Sequence, residues 1–241
     1  MLHVEPIPIL DDNYAWLLRC PATGATAVAD PAVAAPVLAR VQALGGRLDW
    51  ILLTHHHGDH VAEVPQVAAA TGARVAGHAA DAHRLPSLDL AVKPGETFTL
   101  GEAAAQVLDT PGHTRGHIAW AFVEGQALLC GDTLFSIGCG RLLEGTAAEM
   151  FASLRALAAL PDAMRVCCGH EYTLSNLRYA RHVEPDNQAL AAHEAEVKAR
   201  RARGEPSLPT TLGLEKALNP FLRARDVAEL AALRSGKDDF R

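Results

Sequence analysis

This chain of 241 residues lacks several things, and each absence closes off a class of protein. No apolar stretch approaches the roughly 18 uninterrupted residues that a membrane-spanning helix needs. Its first residues, Met1-Leu2-His3-Val4-Glu5-Pro6, lack the basic start and apolar centre of a secretory signal, so a cytoplasmic protein is expected. The five cysteines are odd in number and scattered as Cys20, Cys130, Cys139, Cys167 and Cys168, which is no disulfide framework and suits a reducing compartment. None has Cys-x-x-Cys spacing, so a separate structural zinc is not expected. Cys130 and Cys167 close apolar runs and read as small hydrophobes, whereas Cys139 lies in a glycine-rich loop with no role assigned. An excess of positive charge is missing too: the formal net charge of −6 argues against a nucleic-acid partner. There is no internal repeat, and a hydrophobic share of 49% is ample for one large core or a core plus a small appended domain.

What the chain has instead is a crowd of metal-binding side chains. The run Thr54-His55-His56-His57-Gly58-Asp59-His60 follows Ile51-Leu52-Leu53, which reads as the end of a buried strand. Three further candidates stand where strand-like apolar runs give way to glycine: His113 in Thr110-Pro111-Gly112-His113, Asp132 in Cys130-Gly131-Asp132-Thr133, and His170 in Cys168-Gly169-His170-Glu171. Loops that follow several strands converge at one edge of a sheet in open α/β folds, where such folds place their sites. The histidines 55, 57, 60, 113 and 170 with Asp59 and Asp132 exceed what one catalytic zinc needs, since such a site typically takes three protein ligands and solvent. Their number predicts two divalent metals, with one carboxylate available to bridge them. Imidazole and carboxylate donors suit zinc, the expected metal, with iron or manganese as alternatives. His56 points away if its neighbours point in, and Asp30, Thr54, Thr133 and His117 are candidates for orienting contacts or for loop caps.

Up to about residue 170, short strands are predicted at 14–19, 25–29, 48–53, 74–76, 98–100, 104–108, 118–123 and 127–130. Helices are predicted at 33–44, stopped by Gly45-Gly46, and at 61–70, closed by Thr71-Gly72. Interleaved strand–helix units and hairpins fit a layered α/β sandwich. After Tyr172 the spacing turns helical at 175–182, 188–203 and 226–234, with prolines at 185, 206, 209 and 220 marking the joints. The basic run at 198–203 reads as a solvated helix end favoured by the helix dipole.

The pattern His55-x-His57-x-Asp59-His60 with His113, Asp132 and His170 resembles the metallo-β-lactamase superfamily. Within it, the chain resembles the hydroxyacylglutathione hydrolases, or glyoxalase II enzymes. That narrower resemblance rests on Gly138-Cys139-Gly140-Arg141, Glu144-Gly145-Thr146, Gly169-His170-Glu171-Tyr172-Thr173, Asn176-Leu177 and Ala180-Arg181-His182-Val183-Glu184-Pro185. Asn219-Pro220-Phe221-Leu222-Arg223 and Arg234-x-x-Lys237-Asp238-x-Phe240 complete it. The resemblance implies an α/β fold: a metallo-β-lactamase-like αβ/βα four-layer sandwich over 1–170 as the catalytic domain, and a small α-helical substrate-binding domain over 171–241. It implies that His55, His57 and His113 bind one metal, that Asp59, His60 and His170 bind another, and that Asp132 bridges them with a solvent oxygen. Asp59 and Asp132 would then be catalytic, with a metal-bridging hydroxide attacking a thioester carbonyl. It also implies glutathione anchors at Arg141, Tyr172, Arg234 and Lys237. The implied reaction is hydrolysis of S-(2-hydroxyacyl)glutathione, typically S-D-lactoylglutathione, to glutathione and D-lactate, the second step of methylglyoxal detoxification. A monomer is expected, with a small glutathione thioester as its partner and neither nucleic acid nor membrane.

The chemistry agrees with a thioester. A cysteine-type thiol has a pKa near 8.5 and departs as thiolate without a strong acid, and the sequence offers no spare acid beyond the metal set. Local positive charge for an anionic substrate is available in the tail from Arg223, Arg225, Arg234, Lys237 and Arg241. Three departures stand out: Val61-Ala62-Glu63 replaces a glycine pair frequent in the family, Leu143 replaces an aromatic residue, and Ser235-Gly236 replaces a charged pair. The competing readings are a persulfide dioxygenase of the same superfamily with a single iron, a metallo-β-lactamase, and a non-catalytic metal-binding module. The tail's resemblance to glutathione recognition favours the hydrolase.

Overall fold

A computed structural model describes residues 1–240, so Arg241, one of the tail cations, lies outside the described residues. The first six-stranded sheet runs in sequence order: β1 (His3–Ile9), β2 (Asn13–Arg19), β3 (Thr26–Ala29), β4 (Trp50–Leu52), β5 (Arg74–His78) and β6 (Leu90–Val92). Its first three strands pair antiparallel, and β3 to β6 pair parallel. The second six-stranded sheet contains β7 (Thr97–Leu100), β8 (Ala103–Asp109), β9 (Ile118–Phe122) and β10 (Ala127–Gly131). A separate hairpin follows, β11 (Leu134–Phe135) with β12 (Gly138–Cys139); then β13 (Arg165–Cys168) and β14 (Thr210–Thr211) complete the second sheet. The helices are α1 (Ala34–Ala43), α2 (Gly58–Val61), α3 (Val64–Thr71), α4 (Ala147–Ala158), α5 (Thr173–Val183), α6 (Gln188–Ala202), α7 (Leu212–Leu218) and α8 (Val227–Asp239). Among the described residues, no helix is long and apolar enough to cross a membrane.

Side chains alternate across a strand, and this alternation builds the layers. On β2, Tyr14, Trp16 and Leu18 enter the core shared with the second sheet, while Ala15 and Leu17 enter the core under α1 and α3. Ala27 and Ala29 separate from Val28 in the same way, as does Leu52 from Ile51 and Leu53, and Ala76 from Val75. Both faces of the sheet are covered at its centre, so β2, β3 and β4 read as continuous apolar runs. The helix α4 adds Met150, Leu154 and Leu157 to the larger core and begins with a capping box, Thr146 with Glu149. The result is a four-layer αβ/βα sandwich followed by helices, as the sequence implies. The helical segment is tied back into the sandwich, because β14 pairs with β13.

Several elements depart from the sequence-based expectations for identifiable reasons. The helix expected at 61–70 is split into α2 and α3, because Pro65 has no N–H to continue the ladder, and the freed Glu63 carboxylate accepts from the Ala34 N–H at the start of α1 (2.6 Å). The strand β1, with Pro6 and Pro8, was not expected; it is tolerated because it is an edge strand pairing only with β2. The last helix runs to Asp239 instead of ending at 234, since Gly236 does not stop it but lets Tyr179 Oη approach where a Cβ would sit. Helices α4 and α7 and the hairpin β11–β12 had no expectation at all.

The fully buried Trp120 joins the two sheets. Its ring meets Phe98 edge-on at 5.4 Å, and its Nε1–H donates to the Leu53 carbonyl (3.1 Å) immediately before the histidine cluster. Trp120→Ala is expected to destabilise the chelator-treated protein by about 3–5 kcal/mol, the usual range for removing a large buried aromatic. Urea unfolding monitored by circular dichroism checks it, and a loss below about 1 kcal/mol would mean that the core refills the space.

Candidate metal centre

Loops at the strand ends carry the polar cluster. Residues 54–57 leave β4 and enter α2, which holds Asp59 and His60; β8 leads to His113, β10 to Asp132, and β13 to His170. Gly131, at φ +45°, is required where it stands, because any Cβ there would overlap Thr54 Oγ. His55, His60, His113, Asp132 and His170 are buried, and three groups lie close enough to share a cation: His55 with His57 and His113, His55 with His60 and Asp132, and Asp59 with His60 and His170. His57 Nδ1 lies 3.1 Å from His55 Nε2 and 3.0 Å from His113 Nε2. Asp132 Oδ2 lies 3.4 Å from His113 Nε2 and 3.3 Å from His170 Nε2, while Oδ1 lies 3.4 Å from His60 Nε2. Asp59 Oδ2 is 3.4 Å from His170 Nε2 and 3.7 Å from His60 Nε2. All seven sequence candidates are thus brought together.

The outer nitrogens of these rings explain why the inner ones are available. His60 Nδ1 donates to Asp30 Oδ2 (3.1 Å), His113 Nδ1 to the Arg141 carbonyl (2.9 Å), and His170 Nδ1 to Asp12 Oδ1 (2.9 Å). Thr54 Oγ donates to Asp30 Oδ2 (2.6 Å) and so accepts from His55 Nδ1 (3.1 Å). Each tether fixes the tautomer that leaves the Nε2 lone pair facing inward, as a metal ligand requires. His117 works from behind: its Nε2 accepts from the Asp132 N–H (3.1 Å), and its ring stacks on His55 at 4.9 Å. Asp59 is held by Asn13 Nδ2, 3.0 Å from Oδ2. His60 Nε2 and Asp132 Oδ1 are buried without a hydrogen-bond partner, although burying a polar atom unpaired is unfavourable. A divalent cation held by these residues would supply what the protein does not, so the donor set fits metal binding.

Electrostatics match this arrangement. Burial pushes His55 and His117 well below the usual imidazole range and lowers His57 and His113, which keeps these rings neutral. The hydrogen bond from His170 holds Asp59 well below the usual carboxylate range. Burial opposes charge on Asp132, but His60 and His170 outweigh it and keep that carboxylate ionised. Burial likewise opposes charge on His170, yet Asp132, Asp59 and Asp12 raise it to about 10. Without a cation, protons take over the neutralisation of the carboxylates.

Of the orienting candidates, Asp30, Thr54, His117 and Thr133 all lie behind the ligands, Thr133 Oγ donating to the Thr110 carbonyl (3.1 Å). His56 does point away, its Nδ1 lying 3.2 Å from Asp81 Oδ2. Sequence reasoning missed Asp12, Asn13 and the Arg141 carbonyl. Asp12 ends the turn before β2 and Asn13 opens that strand, with no pattern to mark either, and a backbone carbonyl carries no sequence signal.

A cavity of about 530 Å³ opens over the cluster, lined by Phe135, Tyr172, Arg141, Leu143, Lys237 and Arg234 among others. Tyr172 stacks on His170 at 4.6 Å, with planes 7° apart. The Arg141 side chain is 72% exposed, 3.7 Å from Asp238. Lys237 Nζ donates to Ser175 O and Oγ (both 3.0 Å), and burial, then Arg234, Arg178 and Arg141, lower its pKa to about 8. Arg234 is buried and partly committed: Nη1 donates to the Cys139 carbonyl (2.7 Å) and Nη2 to Asp238 (2.9 Å), leaving Nε unpaired. Cys139 lines the same cavity as a neutral thiol, which burial raises to about 11.

Comparison with known proteins agrees with this geometry. Residues 10–170 match the family described as the metallo-beta-lactamase superfamily, and residues 171–240 match the hydroxyacylglutathione hydrolase C-terminus. The chain is 57% identical over 237 residues to the hydroxyacylglutathione hydrolase of Acidiphilium cryptum, covering 98% of this chain and 96% of that protein. It is 49% identical to the one from Methylococcus capsulatus, with both chains fully covered. Among solved structures, ETHE1 from Myxococcus xanthus superposes with a TM-score of 0.72 at 24% identity, over 98% of this chain and 90% of that one, a likeness of fold alone. A protein solved in a di-iron-bound form superposes with a TM-score of 0.65 at 28% identity, over 90% of this chain and 99% of that one.

Asp30→Asn tests the tethers. Asparagine keeps the shape and tolerates the φ of +50° at this position, but turns an acceptor facing Thr54 Oγ–H and His60 Nδ1–H into a donor. Metal affinity is expected to fall roughly 10- to 100-fold, as for other orienting partners of metal ligands, measured by competition with a chelator of known affinity.

Proposed function

Because the chain belongs to the hydroxyacylglutathione hydrolase family within the metallo-β-lactamase superfamily, we propose that this cavity hydrolyses S-(2-hydroxyacyl)glutathione, S-D-lactoylglutathione in particular, to glutathione and the 2-hydroxy acid. The observation that carries the proposal is the inward convergence of imidazole lone pairs and two ionised carboxylates, with the rings of His55, His60, His113 and His170 tethered from outside. His55, His57 and His113 would hold one divalent cation, and Asp59, His60 and His170 a second. Asp132, within 3.4 Å of rings from both groups, would be shared. Zinc is the proposed metal, because imidazole and carboxylate suit its borderline character. When bound, such cations make water acidic near neutral pH and polarise a carbonyl.

The chain's own groups do the rest. The stacked Tyr172 ring and Phe135, set at right angles to His170, wall the approach to it and offer apolar surface to the bound thioester. Lys237 and Arg141 would offer positive charge to the glutathione carboxylates, with the buried guanidinium of Arg234, which lines the same cavity, adding to it. The leaving sulfur needs no acid at its side. The match of residues 171–240 to a hydrolase C-terminus favours this reaction over the persulfide dioxygenase alternative. The proposal extends to two domains, 1–170 for catalysis and 171–241 for the substrate, in a cytoplasmic monomer that serves methylglyoxal detoxification. The five cysteines, all free and buried, support the reducing compartment.

The test joins thioester hydrolysis to metal analysis of the same preparation. Protein reconstituted with zinc, iron or manganese should approach two equivalents, and Asp132→Ala should lose both metal and turnover. A plateau at one equivalent with full activity overturns the two-cation assignment.

Lys237 gives a second test, with a definite pH sign. Its ammonium is charged below about pH 8 and neutral above, so KM for the glutathione thioester should be level below pH 8 and rise above it. Lys237→Met should raise KM about tenfold or more at pH 7, the scale of a charged hydrogen bond, and abolish the rise, with kcat little changed. A small thioester without the glutathione carboxylates should show neither effect. Equal losses on both substrates would assign Lys237 to the fold.

A further inference from the structure

The hairpin β11–β12 links two parts of the metal centre and has no sheet of its own. Its strands pair only with each other, and its turn residue Ile137 stands at φ +57°, a conformation that a β-branched residue adopts only under constraint. Asp132 lies just before the hairpin. Arg141, whose carbonyl accepts from His113 Nδ1, lies just after it. Gly140 packs directly on the Asp132 carbonyl, leaving no room for a Cβ, and its N–H donates to Thr133 O (3.2 Å). Any displacement of the hairpin therefore reaches Asp132 at one end and His113 at the other.

What holds it comes from the helical segment. The Ile137 N–H donates to Glu215 Oε2 (2.7 Å). Asn219 Nδ2 donates to the carbonyls of Phe135 (3.2 Å) and Gly138 (3.0 Å) and to Glu215 Oε2 (3.0 Å), while its Oδ1 accepts from the Phe221 N–H (3.0 Å). Asn176 Nδ2 takes the Ser136 carbonyl (3.0 Å), and Arg234 Nη1 takes that of Cys139 (2.7 Å). Glu215 and Asn219 are completely buried, in the same cradle. The opposite side of the hairpin faces the cavity, where Phe135 meets His170 edge-on at 5.8 Å.

We propose that Glu215 and Asn219 are positioning residues for the metal centre, clamping the hairpin so that Asp132 and His113 keep their inward geometry. This rests on the function proposed above. Neither residue touches substrate or metal; both act through backbone. A side chain that only glued the helices to the sandwich would need no contact with the strained turn or with a carbonyl on each strand of this one hairpin.

The experiment compares Glu215→Ala with Glu215→Gln, reading melting temperature, the rate of zinc transfer to a chromogenic chelator at 25 °C, kcat and KM. Glutamine keeps an acceptor for the Ile137 N–H and the Asn219 amide. Expected for Glu215→Ala are zinc release faster and kcat lower by roughly tenfold each, the scale for partners that orient metal ligands, with KM within about twofold of wild type. Glu215→Gln should restore both. If Glu215→Ala does not fold, Glu215→Asp, one methylene short of the turn, carries the same comparison. A variant with lowered melting temperature but wild-type zinc release and kcat overturns the proposal, as does a glutamine variant no better than alanine. Failure of the function itself would appear differently, as a wild-type protein that holds no metal or hydrolyses no thioester.

Discussion

Imidazole lone pairs and carboxylates gathered in a corner closed to water repel one another, and an unpaired polar atom there is unfavourable by about 1–3 kcal/mol. The cluster is held against this by hydrogen bonds on its outer side. Asp30 tethers His60 directly and His55 through Thr54, Asp12 tethers His170, and the Arg141 carbonyl tethers His113. Each of these partners leaves a different strand or turn, so the rings keep their aim only while both sheets stay in register. Trp120, with its Nε1–H on Leu53 O, and the Ile118 N–H on Thr54 O lock that register one step from the first ligand. The stability of the sandwich and the geometry of the centre are one requirement.

The helical segment meets the centre in two ways. Lys237 and the free side of Arg234 face the cavity, while Asn176, Glu215, Asn219 and the Nη1 of Arg234 face the hairpin backbone. Arg234 belongs to both sets. A change there alters charge and hairpin position together, so it is a poor single probe of carboxylate binding, and Lys237, which holds Ser175 and lies over the Tyr179 and Phe240 rings without touching the hairpin backbone, is the better one.

The ligand loops were legible in the sequence because each follows an apolar run that ends in glycine or in the histidine cluster, and both the layered sandwich and the helical tail followed from strand spacing and proline punctuation. The strand β1 was hidden by Pro6 and Pro8, which its edge position tolerates. The length of α8 was hidden by Gly236, which serves the packing of Tyr179 and not a helix end. The cradle around the hairpin left least trace: Glu215 and Asn219 bind backbone groups about eighty positions away, and nothing local distinguishes a buried glutamate on a short helix from an exposed one. Polar contacts to main chain are specified by the fold, and a pattern of side-chain types does not reveal them.

Charge gives the cavity a direction. The chain carries −6 overall, yet Arg141, Arg178, Arg234 and Lys237 gather near one wall, close enough that three of them depress the fourth. The metal cluster that lines the same cavity carries Asp59 and Asp132, both held ionised. An anionic thioester entering without bound cations would be drawn to the basic wall and repelled by the acidic one. Cations held by the ligand cluster would cancel that repulsion, so that a carbonyl could approach the centre with the carboxylates on the proposed anchors of the tail. On the proposed reading, metal loading would orient the substrate as well as supply the chemistry, through fields set by residues at separate points of the cavity lining.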